Sequence, residues 1–457
     1  MGVLREPEGL EAARLDLGAE IVGPHRVAGG KHEDTDVHRR RSVAVAAGRP
    51  GSTRVDSRTV TQRLSFGPIQ TSADLEALAC HEALAFNTPY DSCVSWLRAT
   101  QDEVRVVRAG HDVVGGLVQY DMGLFLGGRS VRNIGIAGVA ISPTARGRGA
   151  AKSLMAATLQ DMHDAGVAVS TLYPTTFTLY GRAGYAVAGH RYQYRLPLAG
   201  LGRIQASGEL RRLDPETDAD GLARLYRRLA ADRPGWLDRN EHIWQRVHNH
   251  PAGRDVYGYV LPADDGAIDG YVVYTLGAVG RYPYDLNIRD VQVAHPDAAR
   301  RILALFSDCR TLARHAIWYG PLDDPLLLAV PEVGTEISIA ETWMIRIVDV
   351  RAALAERGYP AAASARLALE LTDDVLPDNA GRWLIEIDRG EARASRVDQD
   401  AGPDTLRMDI RALGSLYTGH LSARRLAAME AVRGSAAALE QADRVFAAEP
   451  PSMPDYF

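Results

Sequence analysis

The stretch "VAISPTARGRGAAKSLM", Val139 to Met155, decides the reading of this chain. Its first residues suit a strand ending at Ile141, a polar loop containing Pro143 follows, and from Gly149 to Ala165 the pattern is helical. The first amides of a helix have no internal partners and the peptide dipoles add positive potential there, so a phosphate is stabilised at such a point. Gly149 lets the main chain close on an anion, Ala151 keeps the next turn slim, and Arg146 and Arg148 add charge suited to a pyrophosphate or a 3'-phosphate. The run Arg146, Gly147, Arg148, Gly149, Ala150, Ala151 is therefore a candidate phosphate cradle. The alternative is an ordinary strand-to-helix connection with surface arginines.

Outward from this stretch, strand signals at Gln62–Phe66, Val104–Ala109, Val113–Tyr120, Val131–Ile141 and Ala168–Tyr173 surround helical patterns, and alternation over Ala186–Leu196 closes a first unit. The order predicts an α/β layer with a mixed sheet. Its first helix, Ser72–Phe86, places Leu75, Leu78, Ala79 and Phe86 on one side, interrupted by Glu82. Residues 1–63 sustain no period, include the basic cluster His38–Arg41, and read as a flexible extension or, with a downstream start, as partly outside the natural chain. A linker is expected over Pro197–Gly208.

A second unit follows with helix Ala219–Ala231, strands Val256–Leu261, Asp269–Leu276 and Leu286–Val293, and helix Asp297–Cys309. Its "VQVAHPDAARRILALF", Val291 to Phe306, parallels the opening stretch as an internal repeat, but its loop has no glycine, so the main chain cannot approach a pyrophosphate. The copy is read as degenerate. A third unit from about Trp343 carries short strands and two late helices, and ends in "EPPSMPDYF", whose prolines favour an extended path.

The 457 residues suffice for several cores, and the net charge of -6 argues against a nucleic-acid binder and suits a cationic substrate. Cys80, Cys93 and Cys309 are too few and scattered for a disulfide framework or a zinc cluster, which favours a reducing cytoplasm and no metal. No apolar run reaches the roughly 20 residues of a membrane helix.

The opening stretch resembles the coenzyme A motif of the GNAT superfamily of N-acetyltransferases, met here by Arg146, Gly149 and Ala151. More narrowly, "TLYPTTFTLYGRAGY", Thr171 to Tyr185, and the three-part layout resemble the enhanced intracellular survival (Eis) family of aminoglycoside acetyltransferases. The resemblance implies an α/β (α+β) architecture of tandem GNAT-type domains, the second degenerate, with a C-terminal domain like a sterol carrier protein. The divisions expected are an extension over 1–63, an acetyl-CoA domain over 64–200, a degenerate domain over 201–342 and a sterol-carrier-like domain over 343–457.

It also implies a donor site in which the strand at Val139, Ala140 and Ile141 splays to hold pantetheine and presents an amide to the thioester oxygen, with Thr175 at the coenzyme. Tyr180 matches the family's catalytic tyrosine. A phenol of pKa about 10 donates to a thiolate of pKa about 8.5 with little penalty. Its other reading is a core tyrosine, with Tyr185 an equally aromatic neighbour.

The α-carboxylate of Phe457 would be the general base. Trp96 matches a tryptophan lining the amine pocket, and Asp455 or Tyr456 could hold ammonium groups. The sequence departs from the family in having Gly138 where a bulky aromatic precedes the donor strand, and Phe86 and Asn87 where an acid faces the amine. The expected partner is a small-molecule amine, polycationic and aminoglycoside-like or of the polyamine or lysine type, with no nucleic acid, no membrane and a homo-oligomer, the resembled family being hexameric. With no cysteine in the motif, direct attack in a ternary complex is expected. Two other readings stay open: a natural-product acyltransferase using longer acyl-CoA donors, for which Gly138 would leave room, and a non-catalytic acyl-CoA or lipid sensor.

Overall fold

The computed structural model describes residues 64–250, 253–277, 282–331, 334–399 and 402–457. The extension expected over 1–63 lies outside the described residues.

Helix Ser72–Phe86 begins at a capping box in which Thr71 accepts from the Asp74 amide and the Asp74 carboxylate accepts from the Thr71 amide, and it ends at Asn87 in the left-handed region. Its buried residues are Leu75, Leu78, Ala79 and Glu82, the spacing of one helical face. Glu82 thus belongs to the buried stripe. Phe86, expected in that stripe, is exposed because the last turn, Leu84 to Asn87, projects into solvent throughout.

Among the described residues, thirteen strands form one sheet. Its path runs Leu64–Pro68, Val104–Ala109, Asp112–Leu126, Arg129–Ile141, Val169–Leu172, Glu336–Ile347, Ala186–Pro197, Ala313–Gly320, Tyr284–Val293, Ile268–Gly277, Tyr257–Pro262 and Arg211–Arg212, with Leu237–Asp238 paired to Asp112–Leu126 off the path. Strand Glu336–Ile347 therefore lies inside the first unit, antiparallel to Val169–Leu172 on one side and to Ala186–Pro197 on the other. The division expected at residue 343 falls inside this strand, at a register shift between Trp343 and Met344 in its pairing with Ala186–Pro197. The first two units are joined by a second ladder, Ala186–Pro197 against Ala313–Gly320.

The third unit has a five-stranded sheet in the order Glu391–Arg396, Gly381–Asp388, Ser364–Thr372, Thr405–Asp409 and Val432–Arg433. Its helix Ile410–Tyr417, absent from the sequence reading, sits on the first unit, where Ser415 donates to the Val187 carbonyl (2.8 Å) and Thr418 to that of Ala188 (3.2 Å). The buried pair Arg346 and Asp373 (2.7 Å) ties the inserted strand to the third unit. One hydrophobic core accordingly contains Leu78 and Tyr120 of the first unit together with Leu369, Trp383 and Phe446 of the third. Among the described residues, no helix is long and apolar enough to cross a membrane.

Candidate active site

Two breaks in the sheet frame the site. Opposite Asp112–Leu126, the register steps from Val118↔Ala137 to Gly116↔Ala140, which places one extra residue in the strand at Gly138 and Val139. On the other edge, the parallel ladder with Val169–Leu172 runs from Asn133 to Ile136 and ends there, although the strand continues to Ile141. A bulge beside a splayed edge releases backbone donors that a regular ladder would consume.

The loop that follows ends at Gly149, the helix N-cap, with φ 88° and no side-chain cap. The first helical bond runs from the Ser153 amide to the Gly149 carbonyl (2.9 Å), so the amides of Ala150, Ala151 and Lys152 point out of the helix start. A methyl group at Gly147 or Gly149 would meet nothing within 4 Å, leaving the space above the turn open. Arg148 is exposed, while the Arg146 guanidinium turns back to donate to the Ile141 carbonyl (3.2 Å) and braces the loop.

The repeat in the second unit has the same backbone plan with the opposite outcome. Strand Tyr284–Val293 carries a bulge at Arg289 and leaves its parallel neighbour after Asn287. Here, however, His295 caps the helix by accepting from the Ala298 amide (3.2 Å), Pro296 removes a donor, and Arg289 is taken up by the carbonyls of Arg246, Val247 and Asn249. The anion site of this copy is closed by its own side chains.

Tyr180 lies on the short helix Phe177–Arg182, buried in one cluster with Ile134, Ile136, Ile141, Ala150 and Leu154. Burial raises its phenol to about 12, partly offset by a hydrogen bond with Thr175. Thr175 bonds the Tyr180 hydroxyl, and the phenol is a weaker acid than its ordinary value suggests, so full proton release to a thiolate is uphill. The neighbouring Tyr185 is buried with its hydroxyl 2.8 Å from Ser170 and serves the core.

The C-terminal tail reaches the same place from the third unit. Ser452 donates its amide to the Pro234 carbonyl, Met453 to that of His190, Tyr173 donates its hydroxyl to the carbonyls of Met453 and Asp455 (3.1 and 2.6 Å), and Arg191 donates to that of Pro454 (2.9 Å). The tail is thus threaded between the first two units. Phe457 ends with its ring on the donor strand, where a methyl at Gly135 would lie 2.6 Å from it, and edge-on to Tyr120 at 6.5 Å.

Tyr456 is exposed, its ring 4.8 Å from that of Tyr173. Asp455 is not free to hold an ammonium group as expected, because its carboxylate is buried against Arg239 and Tyr226.

Trp96 donates its indole N–H to the Tyr120 hydroxyl (2.9 Å) and lies over the bulge, where a methyl at Gly138 would come 2.4 Å from its ring. Gly138 therefore opens no space for a longer acyl chain, since the indole fills it. Two residues escaped the sequence reading. His242, on the unrecognised helix Glu241–His248, stacks on Tyr120 at 4.3 Å and is held to about 4 by burial and Arg246. Glu82 lies beneath Gly138, and its signal in the sequence was a charged residue on an apolar helical face.

Family models for an acetyltransferase (GNAT) domain match residues 69–188 and 235–347, and one for a sterol carrier protein domain matches 350–454. An uncharacterized N-acetyltransferase of Streptomyces griseus is 30% identical over 361 residues, covering 73% of this chain and 83% of that protein. The N-acetyltransferase Eis of Mycobacterium tuberculosis is 28% identical over 368 residues, 75% and 85% of the two chains. Among solved structures, a GCN5-related N-acetyltransferase from Anabaena variabilis superposes with a TM-score of 0.81 at 29% identity, over 86% of this chain and all (100%) of that one. Eis1 from Mycobacterium abscessus shares the fold, with a TM-score of 0.70 at 23% identity over 86% of this chain and 100% of its own.

A splayed strand, an open helix start and a duplicated unit define a tandem GNAT acyltransferase with a sterol-carrier domain. Within that class the chain belongs to the Eis-like N-acetyltransferases.

Proposed function

We propose that this enzyme moves an acetyl group from acetyl-CoA directly to a primary amine of a polycationic small molecule, of the aminoglycoside, polyamine or lysine type. The observation that carries the reading is the placement of the helix start at Ala150 and the ring of Tyr180 in one cluster with Ile134, Ile136 and Ile141 of the splayed strand, with the indole of Trp96 at its bulge and the ring of Phe457 on its Gly135. When bound, the coenzyme supplies an activated thioester. The cradle from Arg146 to Ala151 fits its diphosphate because the donors are unpaired and the space above them is open.

Tyr180 keeps its proton across the physiological range and offers it as a hydrogen bond to departing sulfur, while the Phe457 α-carboxylate accepts the proton lost by the amine. The backbone donors freed by the bulge are available to a carbonyl oxygen. Direct transfer, cytoplasmic location, assembly into an oligomer and a division between the first two units near residue 200 belong to the same proposal. The runner-up use of longer donors loses its support where the Trp96 ring occupies the space at Gly138.

The test is an initial-rate study of coenzyme A release with polyamines, aminoglycosides and lysine peptides. Intersecting double-reciprocal lines are expected for direct transfer and parallel lines contradict it. Coenzyme binding without turnover of any amine returns the chain to a sensor.

A further inference from the structure

Among the described residues, the arginines gathered where the tail passes between the first two units are taken up where they stand, with one exception. Arg191 pairs with Glu341 (3.1 Å) and lies over the Tyr319 ring, and Arg239 is shared between Asp290 and Asp455. Arg289 is wrapped by main-chain carbonyls at the end of helix Glu241–His248. Arg246, on that helix, is left over: its guanidinium makes no hydrogen bond, ion pair or ring contact with any described residue. It follows His242 by one turn on the same helix face, and His242 stacks on Tyr120 at 4.3 Å. The ionisable groups that act on Arg246 are Tyr120, Tyr456, Arg191 and Asp455, which sets it between the first unit and the end of the tail. Asp455 is the one carboxylate of that set, and it is already spent on Arg239. His242, held to about 4 and therefore uncharged, supplies no compensation, and its Nε2 likewise lacks a partner. Arg246 is partly buried, and burial disfavours its charge. A neutral residue would complete the helix beside Ile243 and Val247 at lower cost, since a cation removed from water without a counter-charge destabilises the fold. The missing partner is an anion, and a guanidinium fork matches a carboxylate in shape as well as in charge.

We propose that Arg246 binds an anionic group of the acceptor, so that the amine acetylated here belongs to a molecule that also bears a carboxylate. The inference rests on the acetyltransferase reading of the same site and selects the lysine type from the acceptors named there. Aminoglycosides and polyamines offer only cations to an unpaired arginine, whereas an amino acid brings an amine and a carboxylate together.

Pairs of acceptors that differ by the carboxylate alone provide the test: lysine against cadaverine and ornithine against putrescine, each with acetyl-CoA and the full chain. Wild type is expected to use the amino acid of each pair with kcat/KM at least about tenfold above that of its decarboxylated partner, the difference residing in KM. Arg246→Gln should bring the two members to within about threefold of each other by raising KM for the amino acid. Arg246→Lys, which keeps the charge but not the fork, should retain part of the preference. A wild type without that preference, or an Arg246→Gln protein that keeps it, overturns the role of Arg246. If wild type acetylates no amine, the enzymatic reading fails instead, and calorimetric titration with glutarate still decides Arg246. Wild type should then bind glutarate at least about tenfold more tightly than Arg246→Gln, and equal or absent binding refutes the anion site.

Discussion

Arg239 grips Asp455 through two nitrogens, at 3.0 and 2.8 Å, and also bonds Asp290, with all three side chains buried. This network fastens the last residues of the third unit to the second unit. It lies beside the bulge of the degenerate copy, so that copy anchors the tail. Arg239→Ala leaves two buried carboxylates without their cation and is expected to cost about 3–5 kcal/mol, measured by urea unfolding. Turnover should fall under conditions where the variant is fully folded, and full turnover by a folded Arg239→Ala protein would separate the tail from activity.

Residues appended after Phe457 should be nearly as damaging as loss of Tyr180. The ring of Phe457 is 7% exposed and seated on Gly135, so additional chain must displace it. A pentaglycine extension is expected to lower kcat while KM for acetyl-CoA holds. Unchanged kcat removes the terminal carboxylate from the mechanism.

Tyr180→Phe should retain coenzyme binding and lose about 100-fold or more in kcat, the size of a general-acid contribution. Because burial lifts the wild-type phenol to about 12, its ionisation is absent from the pH–rate profile below about pH 11. A basic limb near pH 10 that vanishes in Tyr180→Phe would show an ordinary, solvated phenol.

Gly149→Val tests the cradle. A β-branched residue at φ 88° is strained by about 1–2 kcal/mol, enough to weaken coenzyme binding roughly tenfold. Calorimetric titration with coenzyme A measures this, and unaltered affinity would mean that the turn does not hold the diphosphate.

Glu82→Gln should gain stability over wild type as pH rises. Burial holds the Glu82 carboxyl well above its ordinary value of 4.5, so the native state keeps a proton that the unfolded chain has lost. The associated stability is complete below pH 4.5 and declines as pH climbs through the native value, by at most about 1.4 kcal/mol per pH unit. Thermal unfolding of both proteins at pH 5, 6 and 7 should show a widening gap, and a constant gap would contradict a buried neutral acid.

The cradle was legible in sequence because its physics is local: a strand, a left-handed glycine and an uncapped helix start occupy adjacent residues, as do the proline and histidine that close the second copy. The family's short patterns likewise brought out Tyr180 and Trp96. Local signals also placed helix Ser72–Phe86 but misassigned its inner face, where periodicity counted Glu82 as an interruption although its spacing from Leu75 and Leu78 is that of the buried stripe.

The amino-acid sequence on its own determined the α/β class and the duplication from the order of its patterns, and the strand, turn and helix start from Val139 to Leu154 from contiguous residues. Only the tertiary structure decided that Glu336–Ile347 inserts into the first unit, that Asp455 is spent on Arg239, that Glu82 and Trp96 meet at one bulge, and that His242 and Phe457 pack on Tyr120. These pairings join residues hundreds of positions apart, and no local propensity encodes them, because they arise when one core is shared by segments whose order in space differs from their order in the chain.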